Sequence, residues 1–347
     1  MHLALIVPAP FETVSGGYVY DHRMLAGLRA AGHRTDVVEL AGRHPLADDA
    51  TGAAACAAWD TLDETVRPLI DGLALPAFAG LGDALAVRGA IGLVHHSTAL
   101  ETGLSEADRG RLREIESNLL PRLARVIVTS EPTAEHLSST LGVTRARIAV
   151  VMPGTDDAPR SAGSGAPGCR ILSVGALVPR KGHDLLLDAL ARLLDLDWHL
   201  TIVGTRFRDP AYADALEAKA ANLGIARRVE FAGEVDDAAL AALWARADLF
   251  ALASHAEGYG MAIAEALRRG IPVAVTEVGI APALVTPENG VMMRLDDRDG
   301  LSKALRRVIF DTRLRHGMAE AAWQSGQRLP SWDEQAGLFA AALLRTD

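Results

Sequence analysis

The chain is poor in cysteine. Cys56 and Cys169 are its only two, far apart and in no metal-ligand spacing. They offer no disulfide framework and fit a reducing, cytoplasmic setting. No apolar run reaches the roughly 18 residues that a membrane span needs, so stable membrane insertion is not expected. The apolar start MHLALIVPAP lacks a basic lead and reads as a first strand, not a signal peptide. Positive charge is also scarce: 35 Lys and Arg stand against 44 Asp and Glu, a formal net charge of −9. That balance argues against nucleic acid as a partner. One stretch, 105–125, is dense in arginine (Arg109, Arg111, Arg113, Arg122, Arg125), but Glu106, Asp108, Glu114 and Glu116 offset it. It reads as a helix with a solvated face. Internal repeats are lacking too. So is the third glycine that a dinucleotide fingerprint requires, which disfavours a dehydrogenase.

What is present is a globular balance, 49% hydrophobic and 23% charged, in 347 residues. That length is comfortable for two domains. Apolar strand-like runs alternate with helical stretches twice over. In the first half they fall at 3–7, 35–40, 90–95, 126–129 and 148–152. In the second they fall at 170–174, 199–203, 229–232, 249–252, 272–275 and 290–293. Continuous apolar strands spaced by helices imply parallel sheets covered on both faces, hence α/β with two doubly wound, Rossmann-like domains. The small, Gly- and Pro-rich segment 159–168 reads as a flexible linker between domains 1–158 and 169–328. Residues 329–347 add a terminal amphipathic helix.

Two segments carry chemistry. In EGYGMAIAEAL, Glu257 lies in the loop after an apolar strand, and Glu265 lies about two turns into the helix that follows. Gly258 and Gly260 let the backbone between them approach a ligand. The N–H groups at the helix start, Tyr259 and Met261 among them, suit an anion. Two acids beside an anion site fit a nucleotide-sugar, whose diphosphate meets the N–H groups and whose hydroxyls meet the carboxylates. In the second segment Arg180 and Lys181 close a strand-turn-helix between Gly175 and Gly182. Adjacent cations there suit a diphosphate, the arginine as a fork and the lysine as a point charge. A pair of carboxylates also fits a glycoside hydrolase, but that leaves Arg180 and Lys181 without a purpose.

Together the two motifs resemble the donor site of retaining GT-B glycosyltransferases, most closely glycosyltransferase family 4, and the resemblance runs from Gly16 and Gly17 to the last helix. It implies a GT-B fold, with donor bound by the C-terminal domain and acceptor by the N-terminal one. It implies that residues 329–347 cross back to the N-terminal domain. It implies metal-independent transfer of a hexose from a UDP- or GDP-sugar to a small-molecule or saccharide hydroxyl, with no resident cofactor. Arg180 and Lys181 then neutralise the leaving diphosphate, Glu265 binds the ribose and Glu257 lies by the donor sugar. Gly258, Tyr259, Gly260 and Met261 cap the sugar and phosphate, while Val235 approaches the base. Gly16 and Gly17 bring backbone to the donor phosphate. His95, with His96 as the alternative, lies beside the donor sugar, hydrogen-bonding a hydroxyl or shuttling a proton. His96, Glu101 and Thr102 line the acceptor side. A monomer or homodimer is expected. A nucleotide-sugar 2-epimerase and a non-catalytic nucleotide-sugar binder share these features and remain open. Asp195 and Asp197 mimic a metal-binding DxD but precede a strand, and read as a turn. Asp236 reads as an N-cap.

Overall fold

A computed structural model describes residues 1–13, 15–101, 103–295 and 297–345. The chain divides into two compact units, Met1–Gly154 with Pro330–Asp347, and Thr155–Leu329. Each unit holds one six-stranded, all-parallel sheet.

The first sheet comprises β1 (His2–Pro8), β2 (Arg34–Leu40), β3 (Arg67–Asp71), β4 (Ile91–Val94), β5 (Arg125–Val128) and β6 (Ile148–Val150), in the order β2-β1-β3-β4-β5-β6. β3 has no counterpart among the expected strands. It holds only two apolar residues besides Pro68, which interrupts its start and argues against a central strand. The helix expected over 105–125 stops at Leu119, where Pro121 follows, and Arg125 begins β5. The helix Trp332–Leu344 packs along the helix Gly16–Ala30 within this unit. The approach is so close at Gly27 that a Cβ would sit 2.3 Å from that of Ala336.

The second sheet comprises β7 (Cys169–Val174), β8 (Trp198–Val203), β9 (Val229–Gly233), β10 (Leu249–Leu252), β11 (Val273–Thr276) and β12 (Gly290–Met293), in the order β12-β11-β10-β7-β8-β9. Its central strands β10 and β11 are buried along their whole length. Leu249 and Ala251 join one core with Leu186, Leu190 and Leu216. Phe250 and Leu252 join another with Ile263, Ala266 and Leu267. Side chains alternate across a strand, so such a run must be apolar throughout.

The Gly- and Pro-rich segment does not hang free as expected. Ser161 N donates to Arg269 O at 2.8 Å, and Ala162 N to Ala245 O at 3.1 Å. Ser164 N donates to Asp248 Oδ1 at 2.9 Å. The small residues let the chain lie close to the second unit, and its backbone finds partners there.

Candidate active site

In the second unit the strand order reverses between β7 and β10, which lie side by side. In open α/β sheets the crevice at such a reversal, beyond the carboxyl ends of the strands, is where ligands bind. Both chemistry-bearing segments of the sequence leave from these two strands. After β7 the chain makes the single turn Pro179–Lys181 and enters the helix His183–Ala191. After β10 it passes Glu257 and enters the helix Met261–Arg268. Gly182 fixes the crossing of the two loops. Its φ is +61°, and a Cβ there would lie 1.9 Å from Ala253 O, so only glycine fits.

The loops are joined by charge. Lys181 Nζ donates to Glu257 Oε1 at 2.7 Å, and Ser254 Oγ donates to the same oxygen at 2.6 Å. Arg180 lies 3.7 Å from Glu257 Oε2 and donates to Ala256 O at 2.8 Å. The Glu257 side chain is 6% exposed. Burial pushes its acidity towards the neutral form, but Lys181, Arg180 and the Ser254 hydroxyl outweigh this and hold it below the ordinary range. Two cations against one carboxylate leave the cluster with a net positive charge. His183, just beyond, is fully buried. Burial first, and Lys181 second, push it down to about 4, so it is neutral.

Both helix starts at this edge are also distinctive. Among the described residues, every α-helix of eight or more residues has a side-chain N-cap except two. The exceptions are His183–Ala191 and Met261–Arg268, which start on left-handed Gly182 and Gly260. Positive partial charge gathers at such ends. Asp236, by contrast, accepts from Ala239 N and caps its helix. Asp195 is gripped by Arg306 through two hydrogen bonds of 2.7 Å.

Glu265 is the fifth residue of the helix Met261–Arg268, nearer its start than expected. No hydrogen bond or ion pair among the described residues joins it to Arg180, Lys181 or Glu257. Burial raises its carboxyl to about 7, opposed by Arg269 and assisted by Asp156. Tyr259 is buried, while Gly258, Met261 and Val235 are half-buried; Val235 follows β9 on the same carboxyl edge.

In the first unit Gly16 and Gly17 are the first two residues of the helix Gly16–Ala30, capped by Ser15. Gly17 makes room for His95: a Cβ would stand 3.1 Å from the ring's Cδ2 and 3.3 Å from Nε2. His95 follows β4 and is 17% exposed. Its Nε2 lies 3.0 Å from Asp21 Oδ1 and 3.8 Å from Asp71 Oδ2. His96 Nε2 pairs with Glu101 Oε1 at 2.5 Å. Buried Glu116 accepts from Ser97 Oγ at 2.5 Å, Thr98 N at 2.7 Å and Thr98 Oγ1 at 2.8 Å, pinning the turn between them. Thr102 lies outside the described residues. Asp21, Asp71, Glu116 and Ser254 shape these sites without belonging to any motif. Asp71 was hidden with its strand, Asp21 and Glu116 reveal themselves only through contacts distant in sequence, and Ser254 acts on Glu257 three residues away with no pattern to mark it.

The family model for glycosyl transferases group 1 matches residues 159–325. A D-inositol 3-phosphate glycosyltransferase of Actinosynnema mirum is 30% identical over 284 residues, 74% of this chain and 67% of that protein. The chain belongs to the glycosyl transferases group 1 family. The lipopolysaccharide core biosynthesis glycosyltransferase LpsE of Rhizobium meliloti is 34% identical over 151 residues, 43% of this chain and 42% of LpsE. The matched length is thus under half of one relative and about two thirds of the other. Among solved structures, sucrose-phosphate synthase from Thermosynechococcus elongatus superposes with a TM-score of 0.81 at 18% identity, covering 99% of this chain and 98% of that one. Anabaena HepE in complex with UDP-glucose gives 0.77 at 19%, covering 99% of each. These structural likenesses show the fold, GT-B with two Rossmann-like units. No helix among the described residues is long and apolar enough to cross a membrane.

Proposed function

We propose that this protein is a retaining, metal-independent hexosyltransferase of family 4, without a resident cofactor. It takes a sugar from a UDP- or GDP-sugar to a hydroxyl of a small-molecule or saccharide acceptor. The observation that carries this reading is the half-buried Arg180–Lys181–Glu257 cluster at the strand-order reversal, beside two helix starts without side-chain caps. A cationic cluster beside such helix ends is suited to a diphosphate. The second unit binds the donor, with Glu265 on the ribose hydroxyls; the first binds the acceptor and supplies His95. In the reaction the bond between the sugar C1 and the diphosphate oxygen breaks. The acceptor oxygen bonds to C1 on the same face, and its proton passes to the departing phosphate oxygen. Arg180, Lys181 and the helix N–H groups stabilise the charge that grows there.

The donor half is tested with a panel of nucleotide-sugars in a thermal-shift assay. A UDP- or GDP-sugar should raise the melting temperature selectively, and HepE in complex with UDP-glucose makes the UDP series the first to try. Acceptor-dependent release of nucleoside diphosphate then separates a transferase from a 2-epimerase or a non-catalytic binder. Stabilisation by no member of the panel would remove the reading.

A further inference from the structure

Three elements of the first unit converge on His95. Asp21 comes from the helix Gly16–Ala30, Asp71 from the carboxyl end of β3, and His95 from the carboxyl end of β4. Both acids are 1% exposed. One oxygen of each, Asp21 Oδ2 and Asp71 Oδ2, has no hydrogen-bond partner among the described residues. The ring's orientation is fixed on one edge. Nε2 meets Asp21 Oδ1 at 3.0 Å, and Cδ2 and Nε2 lie against Gly17. The Tyr20 ring packs edge-on at a centroid distance of 5.4 Å. Thr129 Oγ1 donates to the His95 carbonyl at 3.3 Å and so steadies the backbone beneath the ring.

We propose that Asp21 is a positioning residue for sugar transfer: it holds the Nε2 edge of His95 inward, so that Nδ1 is the ring nitrogen left to meet a substrate oxygen. This rests on the transferase reading above. Two buried carboxylates side by side require compensating protons. A proton on His95 neutralises one charge, and burial beside Asp21 favours the protonated form of Asp71. The expected directions agree. Burial would lower His95, but Asp21 and Asp71 outweigh it and raise the ring above its usual value. Asp71 rises to about 7, through burial and then the charge of Asp21. His95 therefore presents a fixed Nδ1–H donor.

The same three side chains bring their ligand atoms within 4.8 Å of one another, so a divalent cation is the competing occupant. The test uses the full chain with ring-¹⁵N-labelled histidine, His95→Ala to assign the signal, and Asp21→Asn and Asp21→Ala as variants. At pH 7 the native His95 ring should carry protons on both nitrogens, and Asp21→Asn should lose one of them. With donor and acceptor supplied, Asp21→Asn should lower kcat by about 10-fold or more while donor affinity in calorimetry stays within about twofold of native. A purely structural Asp21 would lower the melting temperature and leave kcat per folded molecule unchanged, which overturns the proposal. So would a neutral His95 ring in the native protein. Loss of a bound metal on Asp21→Ala, with activity restored to stripped native protein by zinc or manganese, would make the cluster a metal site instead. If the native protein transfers no sugar, the transferase reading fails by itself, and the ring spectrum still decides whether Asp21 holds His95.

Discussion

Lys181 and Glu265 carry opposite electrostatic burdens. Lys181 is satisfied before any ligand arrives, by Glu257 at 2.7 Å, and its charge is shared with a diphosphate only when one binds. Lys181→Ala should lower turnover by roughly 10²-fold or more, the scale of losing a transition-state donor. It should also raise the Glu257 pKa, since the first counter-charge against burial is gone. Steady-state rates at saturating donor check this, and native turnover would end the diphosphate role. Glu265 lies under strain of another kind. Its folded carboxyl titrates near 7, whereas in the unfolded chain it titrates near the ordinary value of about 4.3. Between those values the folded state binds more protons, so this residue's contribution to stability falls as pH rises through the window and is flat above it. Glu265→Gln should therefore raise the ligand-free melting temperature at pH 8 by a few degrees and change it little at pH 4. The same substitution should weaken donor binding at pH 8, because a carboxylate accepts hydrogen bonds from hydroxyls more strongly than an amide does. Normal donor affinity in calorimetry would refute the ribose assignment.

At the scale of elements, the meeting of two loops decides the site, and Gly182 is where they meet. Gly182→Ala forces a side chain at φ +61° into Ala253 O. A cost of about 1–3 kcal/mol is expected for the strained backbone alone, with further loss from separating Lys181 and Glu257. Thermal unfolding and donor titration should both suffer. A variant with native stability would mean that the loops can part without harm. The same elements explain what could be read in advance. Strands β10 and β11 are buried along their whole length, so their sequences are nearly continuous apolar runs and stand out. The loops after β7 and β10 were legible because glycine, paired cations and paired acids cluster in short spans. β3 was illegible, since Pro68 and a two-residue apolar core look like a loop, and Asp71 vanished with it. The helix Gly16–Ala30 starts at the two glycines because Ser15 caps it, a signal that the glycines themselves masked. Segment 159–168 has the composition of a linker, yet its backbone bonds to residues 245–269, partners that no local pattern announces.

At the scale of the whole molecule, the two units should answer a nucleotide differently. The Arg180–Lys181–Glu257 cluster, the helix starts without side-chain caps and Glu265 all belong to residues 155–329. His95, Asp21, Asp71 and the turn held by Glu116 belong to the other unit. A nucleoside diphosphate without its sugar should therefore stabilise the second unit alone, by about 2.7 kcal/mol at a hundredfold excess over Kd. Amide hydrogen exchange resolves this segment by segment. Protection should gather at 175–183 and 254–265, where backbone N–H groups are offered to the phosphates, while 16–21 and 95–101 exchange as in the ligand-free protein. Adding 0.5 M salt should weaken the effect only modestly, because Arg180, Lys181 and Glu257 are at most 17% exposed and buried charges are screened less than surface ones. Protection that appears first around His95, with residues 175–183 unchanged, would place the nucleotide in the wrong unit and remove the basis for assigning donor and acceptor between them.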